Sequence, residues 1–250
     1  MITPAPAKLT LSLQVTGTRD DGYHLIDAEM VSLSLADELE FVATAEPTSL
    51  RVGGPFADGV PTDESNLVAA ALRRAGRSAS VEIRKNIPHG GGLGGGSTDA
   101  AAALRWAGWS ATPDDLIRAS EIGADVAFCL VGGRARVSGI GEIVEPLPHV
   151  DRTVTLVIPP LHVSTPAVYR AWDELGGPTG DGPNDLEAAA IAVEPELARW
   201  RDLIEAACGR TPILAGSGAT WFVHGEHDNA LAAVGNEGAE ILVATTTRAS

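Results

Sequence analysis

The stretch Pro88-His89-Gly90-Gly91-Gly92-Leu93-Gly94-Gly95-Gly96-Ser97-Thr98 holds six glycines in the seven positions from 90 to 96. Each costs about 0.5–1 kcal/mol relative to alanine wherever an ordinary residue would fit. So unfavourable a segment is kept where backbone must approach something closely or turn through positive φ. Residues 81–85 before it read as extended, and the alanine-rich run 97–107 after it reads as a helix. A glycine run at a helix start presents unpaired N–H groups and the positive end of the dipole, an anion site most often used for phosphate. Ser97 and Thr98 add hydroxyls at its edge. No GK[ST] follows, which excludes a Walker A loop. Residues 109–115 read as loop and helix start, where a dinucleotide loop needs a strand ending in an acid. A plain glycine linker is disfavoured because the run is bounded by regular elements.

Outward from the loop, residues 7–16 alternate, with Leu9, Leu11, Leu13 and Val15 against Lys8, Thr10, Ser12 and Gln14. Period two predicts a half-buried strand with Lys8 and Thr10 together on its polar face. A turn over 17–23 and strands over 31–35 and 38–43 follow. Ser65 or Asn66 would cap a helix running to 75, and Thr112 with Pro113 would start another. Asp125, after Gly123 and Ala124, could cap a further helix. A composition shift over 145–149 puts a boundary near 150, dividing the chain into 1–150 and 151–250. The second part reads as a strand over 154–158, a helix over 166–175, a loop over 176–183 and a helical region over 185–207. Short strands near Pro212 and over 220–223, a helix near Asn229 and a last strand over 240–245 complete it. Strands and helices mix without a βαβ repeat, which predicts an α+β fold.

The chain is acidic, with 250 residues and a formal net charge of −15. A pI near 4.7 argues against a nucleic-acid surface, which needs clustered basic side chains. No apolar run reaches the ~20 residues of a membrane span, and the start has no signal-peptide core. Cys129 and Cys208 fit two free thiols better than a disulfide or zinc pattern. These features predict a cytoplasmic protein with no membrane partner and no metal site of its own. Two lysines and two tyrosines make any role for those residue types easy to trace. Lys85 reads as a solvated strand-face lysine.

The glycine stretch resembles the phosphate loop of the GHMP small-molecule kinases. Pro6-Ala7-Lys8-Leu9 and Gly216-Ser217-Gly218-Ala219-Thr220 stand where that superfamily has its first and third motifs. Within it, Asp21-Gly22-Tyr23-His24, Gly123-Ala124-Asp125-Val126, Ser164-Thr165 with Val168-Tyr169, and Asn184-Asp185-Leu186-Glu187 resemble the branch acting on 4-diphosphocytidyl-2-C-methyl-D-erythritol. Thr10 stands where that branch usually has Asn, Ala127 replaces a customary proline, and the C-terminal half is shorter.

The resemblance implies a two-domain GHMP fold with its active site in the cleft between domains. ATP would lie on Pro88 to Thr98, carrying Mg²⁺ with it. Its γ-phosphoryl would pass to the substrate's 2-hydroxyl, with Lys8 and Asp125 as the catalytic pair. A sugar-like hydroxyl attacks poorly until a carboxylate accepts its proton, and a neighbouring ammonium stabilises negative charge on the attacking oxygen. Thr10, Tyr23, His24, Thr165 and Tyr169 would hold the cytidine-bearing substrate, the two tyrosines stacking on opposite faces of the base. The alternatives are a related kinase for mevalonate or homoserine, which carry no base to stack, or an inactive nucleotide-binding module.

Overall fold

The computed structural model describes residues 2–179 and 182–249. The first half contributes β1 (Ile2–Thr18), β2 (His24–Ala43), β3 (Ser49–Gly53), α1 (Leu67–Arg74), β4 (Ala79–Arg84), α2 (Gly95–Trp106), α3 (Pro113–Ser120), α4 (Val126–Val131), β5 (Arg134–Gly139) and β6 (Ile143–Pro146). Then come β7 (Thr153–Ile158), α5 (Thr165–Glu174), α6 (Glu187–Val193), α7 (Glu196–Cys208), β8 (Ile213–Leu214), β9 (Trp221–His224), α8 (Asp228–Gly235) and β10 (Glu240–Thr245). The expected α+β class is what forms.

β2 organises the first sheet. β1 runs antiparallel along one edge of it, while the other edge is shared, β5 pairing with residues 26–31 and β4 with residues 38–43. β3 and β6 extend the sheet beyond β4 and β5. The gap between β5 and β4 is met by the chain's far end, where Leu33 bridges Thr246 and Thr247 N–H donates to the Ser32 carbonyl. The second sheet is antiparallel in the order β10-β7-β9-β8.

Alternation along β1 is as expected, with Gln14 and Thr16 exposed, but the start of its polar face is not solvated. Lys8 and Thr10 are both buried, and Ala7, Leu9 and Leu11 pack on Val31, Leu33, Val154, Leu156 and Phe222 between the two sheets. A larger core gathers Leu13, Val15, Val68, Leu72, the α2 alanines, Phe128, Trp172 and Trp221. Burying one leucine or phenylalanine contributes about 1.5–3 kcal/mol, so this seam holds the halves together.

Caps set the helix starts. Asn66, not Ser65, accepts the Val68 N–H at 2.8 Å. Thr112 and Asp115 form a reciprocal capping box behind Pro113.

Several expectations are corrected. Residues 31–35 and 38–43 belong to one strand, because Asp37 stays paired with Ala5 of β1 and its fully buried carboxylate is satisfied from outside the strand, by the Ile87 N–H among others. The helical region 185–207 is split at Pro195, whose ring and missing N–H end the helical ladder. Strands β5 and β6 were not foreseen; glycines and charges at Arg134, Arg136, Gly139 and Gly141 hide their alternation. Helix α2 begins at Gly95, inside the glycine run. The loop expected over 176–183 includes Gly180 and Asp181, which lie outside the described residues.

Candidate active site

A cavity of about 960 Å³ opens between β1, the glycine loop, the 120–125 turn, α5 and the 215–217 turn. Lys8, Thr10, Tyr23, His24, Gly92, Gly94, Ser97, Asp125, Thr165 and Tyr169 all line it.

The loop is built by close backbone approach. Gly94 has φ +70°, and a Cβ there would lie 2.6 Å from Lys8 Cγ. Gly92 has φ +74°, and its Cβ would lie 2.6 Å from the Gly218 carbonyl oxygen. Only glycine fits both the conformation and the space. The first gap seats the lysine against the loop, and the second packs the loop on the glycine-rich turn near the C-terminus. Lys8 N–H donates to the Leu93 carbonyl at 3.0 Å, and Thr220 Oγ1 donates to the Gly91 carbonyl. Leu93 is buried in the seam and anchors the loop from below. Pro88, His89, Gly90, Gly91, Gly95 and Gly96 shape the loop without lining the cavity. Gly95, Gly96 and Ser97 start α2, so their N–H groups have no carbonyl one turn earlier to bond.

Thr98 is corrected. Its side chain is buried, its hydroxyl donates to the Pro6 carbonyl at 2.7 Å and its N–H bonds Gly94 O. It fastens β1 to α2 and lies off the cavity wall.

Asp125 stands at the N-cap position of α4, yet its side chain makes no cap bond. Its carboxylate faces Lys8 Nζ at 3.2 Å instead. The Lys8 side chain is 8% exposed and that of Asp125 is 32% exposed, so the pair is shielded on the lysine side and open on the carboxylate side. Lys8 Nζ also lies 3.4 Å from Thr10 Oγ1.

Beyond the pair, α5 turns one face to the cavity. Thr165, Tyr169 and Asp173 recur every four residues and so share that face. Thr165 Oγ1 bonds Ser217 Oγ at 2.8 Å, and Asp173 Oδ1 meets His24 Nε2 at 2.8 Å. His24 stacks on Tyr169 with ring centroids 4.8 Å apart. Tyr23 is exposed at the rim, with the Arg19 guanidinium 5.4 Å over its ring and Arg19 itself paired to Asp21. The structure therefore brings both tyrosines to one cavity, with His24 on the Tyr169 ring. Burial and the Asp125 charge push the Tyr169 phenol up to about 12, so it remains a proton donor. Burial likewise raises the Cys129 thiol to about 12, which removes it as a nucleophile.

Sequence reading missed Asp173 and Arg170 on the cavity wall and gave Ser217, quoted within the third motif, no role. Asp173 was findable, since Thr165, Tyr169 and Asp173 share one helical spacing. In the Asn184 to Glu187 segment, Asn184 Nδ2 donates to the Leu214 and Gly216 carbonyls, Asp185 accepts the Val15 N–H, and Leu186 lines the cavity. Lys85 is absent from the cavity wall and is far from solvated, its side chain 4% exposed between Asp37 and Asp99. No helix among the described residues is long and apolar enough to cross a membrane.

Comparison with known proteins agrees with this geometry. The GHMP kinases N terminal domain model matches residues 65–133. The 4-diphosphocytidyl-2-C-methyl-D-erythritol kinase of Paracoccus denitrificans (strain Pd 1222) is 41% identical over 237 residues, 87% of this chain and 84% of that one. A crystal structure of 4-(cytidine 5'-diphospho)-2C-methyl-D-erythritol kinase superposes with a TM-score of 0.78 at 31% identity, covering 98% of this chain and 99% of that one. A mevalonate kinase structure, at 12% identity and a TM-score of 0.64 over 99% of both chains, shares the fold. With identity sustained along nearly the whole length and the fold matched from end to end, this chain belongs to the GHMP kinases, in the 4-diphosphocytidyl-2-C-methyl-D-erythritol kinase family.

Proposed function

We propose that the chain transfers the γ-phosphoryl group of ATP to the 2-hydroxyl of 4-diphosphocytidyl-2-C-methyl-D-erythritol, a step of non-mevalonate isoprenoid precursor synthesis. The observation that carries this is the Lys8–Asp125 pair, 3.2 Å apart on the cavity wall where Gly94 presses against the lysine stem. The chain acts as two units, 1–150 and 151–250, with that cavity between them.

In this reading the substrate hydroxyl lies against Asp125, which takes its proton as the oxygen attacks the γ-phosphorus. The bond from phosphorus to the β–γ bridging oxygen breaks, and ADP leaves with its electrons. Lys8 Nζ stabilises charge on the attacking oxygen, and the first-turn N–H groups of α2 hold the phosphates. Mg²⁺ would arrive with ATP, held by phosphate oxygens and water as this cation usually is at nucleotide sites. Bound there, it would neutralise phosphate charge. His24, oriented by Asp173, can read a base edge through its other ring nitrogen. Tyr23 and Tyr169 offer π-faces, and base stacking is worth about 1–3 kcal/mol.

An ATP-consumption assay across a panel of alcohols tests the assignment. The cytidyl diphosphate substrate should be turned over far faster than mevalonate or homoserine. Faster turnover of either would reassign the substrate, and silence across the panel with tight ADP binding would leave an inactive nucleotide-binding module.

A further inference from the structure

Lys85 follows β4 and points away from the cavity into a sealed cluster. Its ammonium pairs with Asp37 of β2 and lies 2.6 Å from Asp99 Oδ2 of α2. Asp37 Oδ1 accepts the N–H groups of Asn86 at 2.6 Å and Ile87 at 2.9 Å, residues that lead into the glycine loop. Asn86 Nδ2 reaches back to the Ala36 carbonyl at 3.0 Å. On the other side of the loop, a Cβ at Gly95 would lie 3.3 Å from Lys85 Nζ and 3.5 Å from Asp37 Oδ2. The first residue of α2 thus rests on the cluster, and Asp99 ties it to the next turn.

The charges do not balance if all three groups are ionised. Two carboxylates face one ammonium, and the buried Asp99 Oδ1 has no hydrogen-bond partner. An uncompensated anion in such a place is expensive, and a proton on one carboxyl removes the cost. Burial, with the Asp37 charge adding and Lys85 opposing, raises Asp99 to about 7. The charges that act on Asp99 are Lys85 and Asp37. On β2, Asp27 and Glu29 pair with Arg136 and Arg134 and Glu38 and Glu40 are exposed, while Arg105 of α2 donates to the Cys129 carbonyl. Arg73 and Arg74 of α1 pair at the surface with Glu64 and Glu121, Lys8 of β1 pairs with Asp125, and α4 carries no charged side chain.

We propose that Lys85, Asp37 and Asp99 are positioning residues for the phosphate loop, and that a proton held on Asp99 keeps the cluster neutral beneath the ATP phosphates. The proposal rests on the reading of that loop as the ATP site. As pH rises through neutrality Asp99 ionises, and a net negative charge then opposes the positive end of α2. ATP affinity falls while the alcohol's does not.

The test compares KM for ATP and for the alcohol from about pH 6 to about pH 9 in the unaltered enzyme and in Asp99→Asn, which fixes the neutral form with the same shape. ATP's own ionisation is common to both proteins, so the ratio of their ATP KM values isolates Asp99. That ratio should rise about threefold or more across the range, the scale of one charge at a helix N-terminus, with the alcohol ratio flat. Asp99→Ser, a smaller neutral replacement, should repeat the profile and serves if the Asn variant does not fold. A flat ATP ratio with turnover intact would overturn the cluster's role alone. Failure of the unaltered enzyme to bind ATP would overturn the loop assignment.

Discussion

Lys8 holds one carboxylate 3.2 Å away across the wall of an open cavity, whereas Lys85 holds two and is shut off from solvent. Asp125 makes no cap bond and is a third exposed, so it is free to meet a substrate. Asp37 is fully buried, and both of its oxygens are bonded. An ion pair that serves chemistry is left incomplete on one side. One that serves architecture is closed, and any charge it cannot balance is handled by a proton. Removing charge from the first should cost turnover, and removing it from the second should cost stability.

The largest effect expected is on turnover. Asp125→Asn should lower kcat by about 10²–10⁴-fold, the usual worth of a general base, with ADP affinity retained by calorimetry. Its unfolding free energy should fall by less than that of the next variant, because the carboxylate side of the pair is a third exposed and Thr10 Oγ1 still faces Lys8 Nζ. Unchanged turnover would remove Asp125 as the base. A stability loss as large as that of the next variant would erase the distinction between the two lysines.

Lys85→Met sharpens the contrast from the other side. It leaves two buried carboxyls without a cation, and breaking a buried pair costs about 3–5 kcal/mol, readable by urea unfolding. A loss below about 1 kcal/mol would mean the cluster is not held as the geometry shows.

Tyr23→Ala probes the rim of the same cavity and should have a smaller effect. Binding of a cytidine nucleotide should weaken by the equivalent of about 1–3 kcal/mol, with ADP binding unmoved. Equal losses for both nucleotides would defeat the assignment of Tyr23 to the base.

The comparison also marks what the residues disclose before folding. Lys8 was legible because its motif, its alternating strand and the glycine loop all point to one place. Lys85 was not, since its partners stand 48 and 14 positions away and nothing local marks a lysine after a strand as buried. The same holds for Asp37, which lies between the strands expected over 31–35 and 38–43 and has its cation 48 positions away. The β5–β6 hairpin was hidden because its alternation is carried by arginines paired across the sheet, Arg134 to Glu29 and Arg136 to Asp27. Local pattern reveals elements whose partners are near in sequence or whose period is clean. It is silent on charges satisfied at long range.

Thr98 offers the finest test, because it lies between the two lysine environments. Sequence places its hydroxyl at the phosphate edge beside Ser97, whereas the structure turns it inward to the Pro6 carbonyl at 2.7 Å, two residues before Lys8. Thr98→Val keeps the shape, removes that bond and leaves a carbonyl short of a partner, a loss of about 1–3 kcal/mol. If Thr98 belongs to the architecture, urea unfolding should show this loss while KM for ATP stays within about twofold, a change of less than 1 kcal/mol. A tenfold rise in that KM at unchanged stability would return the hydroxyl to the nucleotide. Ser97→Ala provides the internal control, since Ser97 does line the cavity. Its change should appear in KM and not in unfolding, so the boundary between chemistry and scaffold would fall between two adjacent hydroxyls.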